Sequence, residues 1–411
     1  MLIDNPKFQA ALPIVERLEA AGFDAYFVGG CVRDGILGRP INDIDIASSA
    51  YPEEVQRLFP KHFDVGLEHG TVMVWFQQDT YEITTFRTEA EYQDFRRPDS
   101  VTFVQDLSED LLRRDFTMNA LALNSKGQIV DYFSGQQAIA KKEIVAVGNP
   151  YDRFHEDALR MMRAVRFSGQ LGFTIASETW QGICDNAQLL EKIAIERILV
   201  EMNKLWESPY WHQGITAYTQ TGLYAYCPGL QNWESPLSQL LADLSSDMAF
   251  TESSLAWAVL LWTAGCLADD DHKKLARAWK ISNADRDRIS AYVALLIYRS
   301  DHATYDSWFL YQQDIDQVLK LERFIHGQAD QDSHFATYFH ILDLDQVKKS
   351  YQNLPIHQLK DLAINGRDII HHFAPDNKAW IGKALKLAEK AVVLGQVSNE
   401  PTALFAYLTD Y

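Results

Sequence analysis

The sequence runs to 411 residues with a formal net charge of −18, and is 47% hydrophobic and 23% charged. That length holds about two to four domains, and the composition is that of an ordinary globular chain rather than a disordered or fibrous one. No run of 18 apolar residues occurs, which excludes a transmembrane helix, and the acidic balance speaks against a general nucleic-acid binder, leaving room for one RNA held by a local basic surface.

The opening MLIDNPKFQAALPIVERLEAAGF reads as an amphipathic helix over residues 4–22, with Phe8, Ala11, Leu12, Val15 and Leu18 on one stripe and Pro13 as a point of kinking or restart. It lacks the basic start and apolar core of a secretory leader. Cys31, Cys184, Cys227 and Cys266 stand far apart with no CxxC. They fit free thiols in a reducing cytoplasm, not a disulfide or zinc set.

The most informative stretch is YFVGGCVRDGILGRPINDIDI, Tyr26 to Ile46. Tyr26-Phe27-Val28 has the aromatic and β-branched character of a buried strand. Gly29-Gly30 turns the chain, and Cys31 to Leu37 can start a helix. Asp43-Ile44-Asp45 then reads as part of a second strand, where residues two apart share a face roughly 6.6 Å apart. Asp43 and Asp45 would look out together, at a cost unless a cation neutralises them. Oxygen ligands with room for water and phosphate suit Mg²⁺, and a glycine turn at a helix start suits a triphosphate. No P-loop GxxxxGK[ST] is present.

Further along, a helix begins near Pro52, and strands are expected over Thr71–Phe76, Tyr81–Phe86 and Val101–Val104. Glu82 lies on a strand that could neighbour the one bearing Asp45. The segment Arg87 to Ser100, with Tyr92, Asp94, Phe95, Arg96 and Arg97, reads as a polar, aromatic loop. Leu107 to Leu123 reads as a helix that places Arg113, Arg114, Asp115 and Asn119 together, residues four apart being neighbours. A short strand follows at Ile129–Phe133. Beyond Pro150 strand signals almost vanish.

Glu156 to Phe167, EDALRMMRAVRF, reads as one helix at 100° per residue. Ala158, Met161, Met162 and Val165 gather on its packing side. Asp157, Arg160, Arg163 and Arg166 lie on the other. A carboxylate can accept from the exocyclic amine of cytosine or adenine, and a guanidinium can donate to their ring acceptors. By itself this face reads as that of an ordinary amphipathic helix with Asp–Arg pairs at three-residue spacing. That Asp157 and Arg160 read a base, with Arg163 and Arg166 suited to phosphate or stacking, is what the resemblance of EDxxR to the nucleotide-selecting motif of class II CCA-adding enzymes and bacterial poly(A) polymerases implies. Lys192 to Trp206 is a further amphipathic helix in which Glu196, Arg197 and Glu201 read as a bracing ion network. The order GGxVRD, short gap, DxD, followed by RRDFTMNALA, EDxxR and ERxxxE, resembles the class II CCA-adding enzyme and bacterial poly(A) polymerase family over residues 23 to about 206. The remainder resembles the helical arm of the Gram-positive type more loosely.

The resemblance implies an α/β nucleotidyltransferase head with a mixed β-sheet (1–150), followed by an elongated all-α neck (151–207), body (208–300) and tail (301–411). It implies addition of C, C and A to the 3′ end of tRNA from CTP and ATP. Asp43 and Asp45 would hold two Mg²⁺ ions with Glu82 as a supporting acid. Gly29, Gly30 and Arg33 would grip the triphosphate, and Arg114, Asp115 and Asn119 would seat the nucleotide. A full-length loop at Arg87–Ser100 favours complete CCA addition, with Asp94 and Arg97 helping to reshape the pocket. The arm would embrace tRNA, and a homodimer is compatible with the sequence. Poly(A) polymerase, a partial CC- or A-adding enzyme, a non-catalytic RNA-binding scaffold and a small-molecule nucleotidyltransferase are the alternatives.

Overall fold

The computed structural model describes residues 2–63, 66, 69–89, 101–375 and 378–409. The chain divides into two compact units, Met1–Leu237 with Ala278–Lys280, and Ser238–Arg277 with Ile281–Tyr411. In the first unit α1 (Pro6–Ala20) starts at Asn5, whose side chain accepts from the Lys7 N–H, and continues through Pro13 without a break. It buries Phe8, Ala11, Ile14, Val15 and Leu18. Leu12, expected on that stripe, is only half-buried, and Ile14 takes its place.

A seven-stranded mixed sheet carries the unit. Its strands are β1 (Ala25–Val28), β2 (Asp45–Ser48), β3 (His62–Phe63), β4 (Thr71–Phe76), β5 (Asp79–Thr85), β8 (Ala122–Leu123) and β9 (Ile129–Val130), in the order β3-β4-β5-β2-β1-β8-β9. The helices α2 (Gly30–Ile36) and α3 (Pro52–Leu58) are threaded between them. β2 pairs antiparallel with β1 and parallel with β5, in a register that sets Asp45 opposite Glu82. The strand begins at Asp45, so Asp43 and Ile44 lie just before it. On one side β1 ends at Val28 as the chain turns through Gly29, so the residues ahead of Asp45 have no partner on β1. The small β6 (Arg87–Glu89) and β7 (Val101–Phe103) pair with each other, so the expected loop opens as a strand. Tyr92, Asp94, Phe95, Arg96 and Arg97 lie outside the described residues.

The helix expected over Leu107–Leu123 does not form as one piece. α4 (Leu107–Leu112) stops, and Thr117–Asn119 is a single 3₁₀ turn. Phe116 bridges Ala146, the Thr117 N–H donates to the Val145 carbonyl, and the Val147 N–H donates to the Asp115 carbonyl. Strand-like pairing with a segment thirty residues downstream outweighs helix propensity, which is a weak local preference. A core of Val28, Ala47, Phe86, Leu107, Leu111, Ala120, Ala122 and Val147 closes under this segment.

The rest of the unit is mainly helical: α5 (Gly135–Lys141), α6 (Pro150–Glu156), α7 (Leu159–Leu171), α8 (Ser177–Asn186), α9 (Ile195–Trp206) and α10 (Trp211–Gln220). One exception is a short parallel pair, β10 (Glu143–Ile144) with β11 (Thr174–Ile175). The expected single helix over Glu156–Phe167 is two. Asp157 is extended (φ −140°, ψ 102°), and its carboxylate accepts from the Leu159 N–H at 3.0 Å. An aspartate that caps a new helix in this way competes with continuation of the old one.

Every described element after Ile175 is helical. In the second unit a core of Leu354, Ile356, Leu362, Ile364, Ile369, Ala384, Ala388, Val392, Val393, Leu404 and Leu408 joins the final helices. Arg299 and Glu322 form a fully buried ion pair there at 2.7 Å. No described helix is long and apolar enough to cross a membrane, and all four cysteines are free.

Candidate active site

The site gathers where the end of β1 lies beside the start of β2. Asp43, Asp45 and Glu82 line one cavity of about 510 Å³, together with Lys7, Asn42, Asp79 and Thr80. The three carboxyl groups sequence reasoning expected are therefore brought together, although Asp43 reaches the cavity from the loop before the strand. Burial, then the neighbouring Asp43 charge, raises Asp45 above the usual carboxylate range against the pull of Arg114. Glu82 is raised by burial and by the charges of Asp45 and Asp43. Crowded carboxylates of this kind are what a hard divalent cation relieves. Among the described residues no three His, Cys, Asp or Glu side chains converge on a ready-made ion site. Asp43 and Asp45 with water and phosphate completing the shell is the arrangement Mg²⁺ takes, since it keeps several waters and uses one or two carboxylates. The residues present fit that ion.

On the β1 side of Asp45 lies the glycine turn. Gly29 has φ +76° and ψ −129°, and a Cβ there would stand 2.7 Å from Nη1 of Arg114. The conformation demands glycine, and a Cβ would in addition displace the end of the Arg114 side chain. Gly29→Ala is expected to cost about 1–3 kcal/mol of stability, read as a lowered Tm, and to push Arg114 from its seat. An unchanged Tm would contradict this. Arg114 is held loosely, donating to the Asn119 carbonyl at 3.4 Å and to Asp110 at 3.3 Å, and its Nε is buried with no partner among the described residues. It is a cation with donor capacity to spare, next to the turn.

Arg33 is different. It is 4% exposed and spent on Asp34 and on Asn119, whose Oδ1 it meets at 2.6 Å. Instead of standing open, it holds Asn119 in place. Asn119 in turn donates to Asp115 at 3.0 Å, so the pairing expected four residues apart forms without the helix. Asp115 also accepts from Arg163 at 2.7 Å. Burial alone would raise Asp115, but Arg163, Asn119 and the Phe116 N–H bring it down to about 2.

The polar residues at the junction of α6 and α7 are similarly engaged. Asp157 accepts from Arg197 at 2.7 Å. Arg160 is buried, donating to Glu156 at 2.6 Å and to the Arg113 carbonyl at 2.8 Å. Arg166 is buried, paired with Glu201, and stacked 3.8 Å from the centre of the Phe167 ring. The open polar face expected of this helix is therefore only partly open: Arg163 keeps 35% of its side chain exposed, while Arg160 and Arg166 are covered. Arg33 and Arg163 also lie over Phe167, at 5.1 and 5.5 Å. Arg197 and Glu201 brace Asp157 and Arg166, whereas Glu196, expected in the same network, pairs with the exposed Lys280 at 2.6 Å.

Two organising acids escaped the sequence reading. Asp110 is fully buried between Arg113 at 2.8 Å and Arg114 at 3.3 Å. Burial would raise it, but the two guanidiniums carry it below the usual range. Glu156 joins Arg153 and Arg160. In each case the spacing of three and four residues was a legible signal.

Three family descriptions match the chain: Poly A polymerase head domain over residues 25–145, Probable RNA and SrmB-binding site of polymerase A over 172–234, and tRNA nucleotidyltransferase domain 2 putative over 248–408. The chain is 44% identical over 406 residues to a CCA-adding enzyme of Lactiplantibacillus plantarum, covering 98% of this chain and 96% of that one. It is 42% identical to the CCA-adding enzyme of Lactococcus lactis, covering 97% and 96%. Among solved structures, the Bacillus stearothermophilus CCA-adding enzyme in complex with CTP aligns with a TM-score of 0.87 at 40% identity, covering 99% of this chain and 98% of that one.

Proposed function

The chain belongs to the CCA-adding enzymes, and from that premise we propose that it adds C, C and A to the 3′ end of tRNA from CTP and ATP, releasing pyrophosphate. The observation that carries this reading is the juxtaposition of Asp43 and Asp45, backed by Glu82 across the β2–β5 ladder, with the Gly29 turn and the under-used Arg114. Asp43 and Asp45 would hold two Mg²⁺ ions, which supply a lowered pKa for the attacking 3′-hydroxyl and charge neutralisation at the α-phosphate. Gly29 and Gly30 present backbone to the triphosphate. Arg114 offers it a guanidinium, and Arg33 acts by fixing Asn119 rather than by gripping phosphate itself. Asp115, Asn119 and Arg163 form one bonded unit that seats the sugar. Asp157 and Arg160 read the base edge. Their present partners, Arg197 and Glu156, set their direction and must share them when a base arrives. A G or U presents the wrong order of donors and acceptors to these two side chains, so the bonds that C or A gains are not made. The all-helical body and tail, within 208–411, would embrace tRNA, and the four free thiols support a cytoplasmic setting.

Extension of a tRNA lacking its 3′ CCA, with Mg²⁺, tests this. Two additions are expected from CTP alone, none from ATP alone, and three from both. Long A tracts from ATP alone would establish a poly(A) polymerase instead, and binding without extension would leave a scaffold.

A further inference from the structure

The sheet face that carries the carboxylates continues past them. Asp45 pairs with Glu82, Glu82 with Met73 on β4, and Met73 with Phe63 on β3. One step along, Thr80 pairs with Trp75. Residues directly opposite in a ladder point to the same face, so Phe63 and Trp75 look out where Asp45 and Glu82 look out. They are 54% and 43% exposed, while Val72, Val74 and Ile83, of the opposite parity, are fully buried. Large aromatics left open beside a catalytic cavity call for a ligand with a π-face.

A cation accompanies them. Lys7 lines the same cavity as Thr80 and Glu82 and is exposed. It stands in the first turn of α1, where the helix dipole disfavours a positive charge, and its Nζ reaches into the cavity to donate to the Asn42 carbonyl at 3.4 Å. The Gly29–Arg114 wall lies across β2, on the β1 side. Nucleotidyl transfer needs a second substrate at the same carboxylates, and the side open to it is the one over β5, β4 and β3. From β2 to β3 is three strand spacings, about 14 Å, room for roughly four stacked nucleotides at 3.4 Å each.

We propose that this face seats the unpaired 3′ end of the acceptor RNA, with Trp75 and Phe63 as stacking platforms and Lys7 as a phosphate contact. The proposal rests on the reading of the chain as a nucleotide-adding enzyme. Aromatic platforms beside a basic side chain are the sequence-tolerant way to hold a single strand. That tolerance is needed because the terminus changes with each addition.

A 5′-labelled tRNA lacking its CCA reports binding by anisotropy and, separately, extension from CTP. Trp75→Ala and Lys7→Ala are each expected to weaken binding about tenfold, with KM for CTP unchanged and wild-type Tm. Trp75→Phe keeps the affinity. Lys7→Ala also shallows the slope of log affinity against log salt by about 0.7. RNA affinity within twofold of wild type in both alanine variants overturns the proposal. So does an equal rise in KM for CTP, or a dimer that Trp75→Ala splits, which would give the face to a second copy. Trp75-dependent RNA binding by a chain that never extends the RNA would leave the face standing and remove the enzymatic reading.

Discussion

Asp45→Asn is expected to lower the rate of nucleotide addition by on the order of 10³-fold or more, the several kcal/mol that a metal clamp supplies to a phosphoryl-type displacement. The same substitution should leave the fold intact and, without Mg²⁺, raise Tm at neutral pH. The sign follows from the raised values of Asp45 and Glu82. A carboxyl whose folded value lies above its unfolded one stabilises the fold fully below the unfolded value, and that contribution is lost as pH rises through the folded value. At neutral pH the ionised cluster is therefore a cost, which a neutral amide reduces. Mg²⁺ should offset the same cost, raising the Tm of the native chain more at neutral pH than below the ordinary carboxylate range, and raising that of the Asp45→Asn variant much less. Single-turnover extension and thermal melts with and without Mg²⁺ check both halves. Activity within tenfold of wild type would remove Asp45 from the chemistry.

Arg163→Ala is the second large effect. Asp115 is 8% exposed and depends on Arg163 for its charge balance. Removing one partner of a buried pair costs about 3–5 kcal/mol, and because a third of Arg163 stays exposed the lower end, about 3 kcal/mol, is expected. Nucleotide addition should fall with it, since the bonded unit of Asp115, Asn119 and Arg163 loses the cation that orients Asp115. Asp115→Asn should be milder, as an amide keeps one acceptor and leaves no buried charge. The native pair also has a pH signature. Asp115 is held at about 2, below its ordinary 3.8, so it contributes about 2 kcal/mol at neutral pH. This contribution is present above the unfolded value and lost as pH falls through roughly 4 to 2. Arg163→Ala should abolish that segment of the acid-unfolding curve. A variant that melts like the native chain at pH 7 would show that Asp115 finds another partner.

These two sites also show how much of the centre was legible beforehand. The pair Asp43/Asp45 and the glycine turn before a helix announce themselves by residue type and spacing, because period-two alternation and glycine's access to positive φ are local facts. Glu82 could be named as a neighbour only because strands of that character pair. Its register opposite Asp45 comes from the parallel ladder of β2 and β5. The path of RRDFTMNALA was misjudged as a helix because its pairing partners, Val145 to Val147, lie far along the chain. Asp157 reads as part of the first turn of one continuous helix because nothing local shows that its carboxylate will cap the next turn.

The sequence by itself determined the chemical inventory: a mixed α/β head before a helical arm, two carboxylates two apart, a glycine turn, and arginines spaced along a helix. Those depend on steric and periodic preferences that act over a few residues. Only the tertiary structure decided which of those groups stay open. Arg33, Arg160 and Arg166 are buried and paired, Arg114 keeps an unpartnered Nε, Lys7 meets the cavity, and Trp75 stays exposed on the same sheet face. Burial and partner choice depend on segments brought together from distant parts of the chain, and no local pattern encodes that.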